Sequence, residues 1–147
     1  MSDLIEQVDV ERLIDLRHRV LRAGRPRETA HLTGDHDPGT RHFRLARDGA
    51  TLAIASVMIA PWPGGREGAL GSGPTRQLRG MAVEPAHARQ GLGSRLLVAI
   101  EELHDGLWCN ARAHAVPFYA RNGWQTVGEP FDAPHIGPHL RMLWIRT

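Results

Sequence analysis

Between residues 78 and 106 the chain passes from a short apolar strand, through a turn built on two glycines, into an amphipathic helix. That succession restricts the available folds more than any other feature of the sequence. Leu78 to Val83 reads as a strand, Glu84 to Gln90 as a loop, and Leu92, Leu96, Leu97, Ile100 and Leu103 recur at helical spacing until Gly106 stops them. In Arg89-Gln90-Gly91-Leu92-Gly93-Ser94 the glycines let the backbone turn tightly. The first amide N–H groups of the helix, which have no intrahelical partner, can then face an anion. The helix dipole adds about half a positive charge at that end, and Arg89 and Arg95 would add full ones. Such a turn suits a phosphate or a pyrophosphate, and it equally suits a plain strand-to-helix connection.

Two nucleotide-binding loops fail on residues. No Gly-Lys-Ser/Thr follows Gly93, and Leu96 stands at the third glycine position of the dinucleotide fingerprint. Coenzyme A remains, since it carries a pyrophosphate. Gly80, inside the preceding strand, marks a bulge or the close approach of a ligand, and a pantetheine arm could pair there.

The rest of the chain is consistent with one mixed α/β domain over residues 1–147, a length that closes a core without staples. Val10, Leu13, Ile14, Val20 and Leu21 predict a helix after Asp9, its expected N-cap, and Gly24 with Pro26 ends it. His31 to Thr40 reads as a polar loop. Phe43 and Leu45 alternate with polar residues, Asp48-Gly49 supplies a tight turn, and Thr51 to Ile59 is a β-branched apolar run, which together predict a hairpin. Pro61 to Pro74 is a Gly/Pro-rich connection. A strand from Leu107 to Asn110, a short helix from Val116 to Arg121 stopped by Asn122-Gly123, and strands from Trp124 to Glu129 and Leu140 to Ile145 complete the pattern.

Composition excludes several classes. Cys109 is the only cysteine, so neither an intramolecular disulfide nor a cysteine-based zinc site can form. The longest apolar run, Leu52 to Ala60, is short of a bilayer span, and the first residues are acidic rather than leader-like, which predicts a cytoplasmic protein. All 18 basic residues are arginine and the net charge is only +2. Arginines 12, 17, 19, 22, 25 and 27 are interspersed with Asp9, Glu11, Asp15 and Glu28, which reads as a solvated helix face rather than a nucleic-acid surface. No metal is expected: His31, Asp35, His36 and Asp37, or His135 and His139, have ligand chemistry without tight ligand spacing.

Three stretches together resemble the GNAT acetyltransferases across Gln77 to Arg146. They are Leu78-Arg79-Gly80-Met81-Ala82-Val83-Glu84-Pro85, Gly91-Leu92-Gly93-Ser94, and Ala115-Val116-Pro117-Phe118-Tyr119-Ala120-Arg121-Asn122-Gly123-Trp124. The closing Gly137-Pro138-His139-Leu140-Arg141-Met142 looks like the small ElaA-like branch. The resemblance implies a strongly twisted, partly splayed mixed sheet of six or seven strands with helices on both faces. It implies an enzyme moving an acetyl group from acetyl-CoA to a primary amine, on a small molecule or a peptide, by direct attack in a ternary complex. Met81, Ala82 and Val83 would offer backbone groups to the pantetheine and the thioester carbonyl. Arg89, Gln90, Gly91, Leu92, Gly93 and Ser94 would cradle the pyrophosphate, with Phe118 also at the cofactor. Tyr119, the only tyrosine, matches the family's general acid, and a phenol is protonated near neutral pH.

The base is less defined. His139 is the first candidate because imidazole titrates near neutrality, with His114 and Glu84 behind it. The sequence also departs from the family at three positions: Ala88 where the loop usually opens with Arg or Gln, Arg112 where many members carry Asn, and Gln77 in place of a frequent Glu. The departures at Ala88 and Gln77 keep open a non-catalytic acyl-CoA-binding module, and the arginine-rich first helix keeps open an RNA-associated or ribosomal substrate. Asp35, Asp37, Glu129 and Asp132 favour a cationic amine, and the last strands, with Trp124 and Trp144, suggest a homodimer.

Overall fold

A computed structural model describes residues 2–63, 73–134 and 136–147, so part of the Gly/Pro-rich connection and His135 lie outside the described residues. The chain forms a seven-stranded mixed sheet with three α-helices, and its residues fall into two compact units. Residues 1–59 with 78–102 make the first, and residues 60–77 with 103–147 the second.

In the first unit β1 (Asp3–Val8) pairs antiparallel with β2 (Arg41–Arg47), which pairs antiparallel with β3 (Ala50–Ile59). The first strand was not expected from the sequence, and its register shows why. It is held by charge rather than by an apolar stripe: Asp3 lies opposite Arg47 and Glu6 opposite Arg44, with ion pairs of 2.7 and 2.8 Å. Opposite charges on directly facing positions stabilise a pairing that apolar alternation leaves undefined.

The β2–β3 hairpin turns at Asp48 (φ 50°) and Gly49 (φ 85°), both left-handed as a two-residue turn requires. Its alternation does not leave one wet face. His42 and Arg44 are buried along with Phe43 and Leu45, because His42 bonds the Ser56 hydroxyl and the Asp35 carbonyl, while Arg44 bonds Glu6 and Thr51.

Helix α1 (Glu11–Leu21) begins after Val10, one residue later than expected, and no side chain caps it. The backbone carbonyl of Asp9 instead accepts the Arg12 N–H. Leu13 and Leu16 pack with Ile54 and Ala82, so α1 covers one face of β3. Strand β4 (Arg76–Val83) carries Gly80 at φ +62°, a left-handed conformation that favours glycine, with Arg17 Nε 3.2 Å from where a Cβ would stand. Helix α2 (Leu92–Glu101) packs on β2 and β3 through Leu92, Leu96, Leu97 and Ile100, all buried. It stops before Leu103, which lies 58% exposed in the following turn and adds nothing to the apolar face.

In the second unit Gln77, at the start of β4, pairs in parallel with Trp108 on β5 (Gly106–Arg112). Strand β7 (Gly137–Ile145) pairs antiparallel with both β5 and β6 (Gln125–Ala133). The last two strands are longer than predicted because the ladder resumes beyond an irregularity between Val127 and Phe131, where Gly128 has φ +81°. Helix α3 (Val116–Arg121) sits where the sequence predicted it. Trp62 and Trp108 meet edge to face at 5.9 Å, and the Trp108 indole donates to the Ala60 carbonyl. Trp124 is only 3% exposed and packs on Tyr119 at 5.2 Å, so it belongs to its own chain's interior and not to a dimer face. No helix among the described residues is long and apolar enough to cross a membrane.

The Asp3 network makes a pH prediction. Hydrogen bonds from Arg47 and then Arg95 hold the Asp3 carboxyl well below the usual carboxylate range. A depressed folded-state pKa stabilises the fold above the unfolded value, near about 4, and that contribution fades as pH falls toward the folded value. The difference in melting temperature between the parent and Asp3→Asn is therefore expected to be largest near neutrality and to shrink in acid. A difference independent of pH would show that the carboxylate charge contributes nothing.

Candidate active site

The first unit holds the anion-binding candidate. Gly91 is the N-cap of α2 at φ +75°, preceded by Arg89 at φ +66°. These two left-handed residues turn the chain out of its short 3-10 segment Pro85–His87 and into the helix. No side chain caps the start of α2, and the first helical bond runs from the Arg95 N–H to the Gly91 carbonyl. The amides of Leu92 and Gly93 therefore precede the first intrahelical donor and point out of the helix end. A Cβ built on Gly91 meets no atom within 4 Å, so the loop's outer side is open. An acyl-CoA pyrophosphate fits this donor set: bare amides, a helix N-terminus and the exposed guanidinium of Arg89, which is spent on no partner among the described residues.

Its neighbours divide by role. Leu92 is buried and Gln90 reaches Arg47 across 3.4 Å, so both side chains anchor the loop, leaving its amides for a ligand. Arg95, expected to add charge at the anion, instead pairs with Asp3 at 2.7 Å, because β1 brings that carboxylate alongside α2. Ala82 packs under α1 with Leu13 and Leu16, while Met81 and Val83 on either side of it are only partly buried. Glu84 is held by Arg19 through two hydrogen bonds of 2.9 and 3.1 Å, so its carboxylate is already engaged.

The second unit holds the candidate acid and base. Pro117 opens α3, and after Arg121 the amides of Asn122 and Trp124 both donate to the Tyr119 carbonyl, winding the helix end tightly around Tyr119. The ring lies between Phe118 and Trp124, with centroids 5.1 and 5.2 Å away. Burial pushes the phenol well above its ordinary range, with a smaller contribution from Cys109. Tyr119 thus keeps its proton at physiological pH, and its hydroxyl makes no hydrogen bond among the described residues. Burial likewise raises the Cys109 thiol, which withholds the thiolate a nucleophile would need.

His139 is 7% exposed and stacks on Phe131 at 5.7 Å. Its Nδ1 lies 2.9 Å from the Gly137 carbonyl. A carbonyl only accepts, so Nδ1 donates in this contact, and Nε2 is the acceptor nitrogen of the matching tautomer. His114 is exposed in the 3-10 turn that precedes α3. No group of three or more metal-ligating side chains occurs among the described residues; Asp35 is instead paired with Arg17, and His135 lies outside them.

Sequence reasoning missed two residues here. Arg17, assigned above to a solvated helix face, is fully buried. Its guanidinium bonds the Ala30 carbonyl, the Asp35 carboxylate and the Ser56 hydroxyl. Arg79, next to Gly80, donates to the Thr33 carbonyl, with the Met58 sulfur 3.1 Å away. Arg17 falls on the apolar stripe of α1, four residues after Leu13, which was the available signal.

Residues 65–145 match the acetyltransferase (GNAT) domain family, and the chain belongs to it. YitI of Bacillus subtilis (strain 168), described as an uncharacterized N-acetyltransferase, is 34% identical over 143 residues, spanning 94% of this chain and 93% of its own. The crystal structure of Escherichia coli ElaA has a similar fold, with a TM-score of 0.69 at 17% identity over 99% of this chain and all of that one. An aminoglycoside 6'-N-acetyltransferase complexed with coenzyme A does too, with a TM-score of 0.71 at 13% identity over 97% and 96% of the two chains. The protein is thus an N-acetyltransferase of GNAT type.

Proposed function

We propose that the protein transfers an acetyl group from acetyl-CoA to a primary amine by direct attack, without a covalent acetyl-enzyme. The observation that carries this reading is the start of α2, where left-handed Gly91 opens the helix with no side-chain cap, at the end of the loop that follows strand β4. Bound acetyl-CoA supplies the activated acetyl thioester. Arg89 and the amides at Gly91 to Gly93 hold the pyrophosphate, while backbone groups of Met81 to Val83 align the pantetheine and polarise the carbonyl. Nε2 of His139, or water next to it, takes the amine proton. The Tyr119 hydroxyl gives its proton to the departing sulfur. Cys109, held as a thiol, takes no part.

Of the arginines behind the RNA-associated alternative, Arg17 is buried in a pair with Asp35, and Arg19 and Arg27 pair with Asp15, Arg19 also with Glu84. A cytoplasmic enzyme acting on a small molecule or peptide, alone or as a homodimer, accords with the same reading.

Isothermal titration with acetyl-CoA, coenzyme A and ATP tests the donor. Binding of both coenzyme A species without ATP is expected. Gly91→Ala should weaken it about tenfold, since holding alanine left-handed costs about 1–2 kcal/mol, which a relaxed loop must recover on binding. Equal binding of ATP, or unchanged affinity in Gly91→Ala, would remove the loop from the proposal.

A further inference from the structure

Of the four acids that favour a cationic acceptor, one is already spent inside the fold. Asp35 is buried and its carboxylate is taken by Arg17 at 2.8 Å and by the Leu32 amide at 2.7 Å. Asp37, Glu129 and Asp132 are exposed. On the α1 face of the first unit the balance is of the opposite sign. Among the described residues the Asp35 carboxylate acts electrostatically on Arg79, but its ion pair is with Arg17. Only one of the two positive charges is therefore neutralised.

Arg79 is the residue left over. It is partly buried, and burial is the main influence pulling its pKa below the ordinary value, with Asp35 and Arg17 acting in opposite directions on it. One of its terminal nitrogens is engaged by the Thr33 carbonyl and lies near the Met58 sulfur, both neutral partners. Nε and Nη2 have no hydrogen bond among the described residues, and Arg79 forms no ion pair there. A partly desolvated cation without a counter-charge is costly, and a planar fork with two free donors matches a carboxylate. Its position matters as much. Arg79 immediately precedes Gly80 and the Met81 to Val83 backbone, which the proposed function gives to the thioester, and it hangs from the loop at Thr33.

We propose that Arg79 receives a carboxylate of the acceptor, so that the amines this enzyme acetylates are amino acids or other amines that carry an acid group. The inference rests on the acetyl-transfer reading for the place of the thioester, but the carboxylate site stands on Arg79 and its neighbours alone. Arg17 acts behind it as a positioning residue: by neutralising Asp35 it leaves Arg79 without an internal counter-ion.

The test uses matched pairs that differ only in the acid: glycine against glycinamide and β-alanine against β-alaninamide in a thiol-release assay with acetyl-CoA, extended to the other amino acids and their amides. N-acetylglycine and N-acetylglycinamide are titrated in parallel into the full chain, with and without coenzyme A. Acid members are expected to exceed amides by about 10- to 100-fold in kcat/KM or affinity, the range of a hydrogen-bonded charge. Arg79→Gln should bring that ratio close to one, and Arg79→Lys should keep part of it. Circular dichroism confirms that each variant is folded. Amides equal to acids in the parent, including no response to either, or a preference that persists in Arg79→Gln, would overturn the inference. Failure of coenzyme A itself to bind would instead overturn the donor reading, while the acid-against-amide titration would still decide the role of Arg79.

Discussion

Tyr119→Phe is expected to lower kcat by about 100-fold or more, the usual contribution of a positioned general acid, while the affinity for coenzyme A stays near that of the parent. The ring sits between Phe118 and Trp124, and phenylalanine keeps both contacts. The hydroxyl makes no hydrogen bond among the described residues, so removing it should leave thermal stability unchanged. This separates chemistry from folding in one substitution. Steady-state kinetics, coenzyme A titration and a melting curve on the same preparation decide the matter. Parallel losses of turnover and binding, or undiminished turnover, would take the acid role away from Tyr119.

The largest effect on stability is expected at Arg17. Its guanidinium ties α1 to the end of the 3-10 turn at Ala30, to the loop at Asp35 and to β3 at Ser56. Arg17→Met preserves much of the stem's packing but leaves the Asp35 carboxylate buried with the Leu32 amide as its remaining donor. Breaking a buried pair from one side costs about 3–5 kcal/mol. For a chain of this size that lowers the melting temperature by about 10 °C. Adding Asp35→Asn should restore part of the loss, since the stranded charge is gone, and a double-mutant cycle reads that coupling directly. Additive losses would show that the cost comes from the Ala30 and Ser56 bonds rather than from the ion pair. The same residue bears on β4: a Cβ at Gly80 would stand 3.2 Å from Arg17 Nε, which has no hydrogen-bond partner of its own. Glycine at position 80 thus answers both a left-handed φ and the guanidinium packed against it.

Much of the molecule could be read from local pattern. Helix α2, its glycine turn, the Asp48-Gly49 hairpin and the Asn122-Gly123 stop are short-range features, in which backbone sterics and the spacing of apolar residues act within a few positions. The family resemblance lay in three such stretches, and with it came the fold class and the type of enzyme. Strand β1 escaped because its partners are charges some 40 residues away, Arg44 and Arg47. Trp124 looked like an exposed aromatic for a partner chain until Tyr119 was seen to cover it.

The two arginines show the boundary most sharply. Residue type marks both as cations, and nothing within a few positions says which is neutralised. That depends on where the loop carrying Asp35 comes to rest, on β3 presenting Ser56, and on β4 bringing Arg79 to the Thr33 carbonyl. Local sterics and apolar periodicity were legible in the linear chain because they act between near neighbours. Counter-charge and desolvation act through space between residues far apart in sequence, so only the folded chain could pair Arg17 with Asp35 and leave Arg79 free to bind.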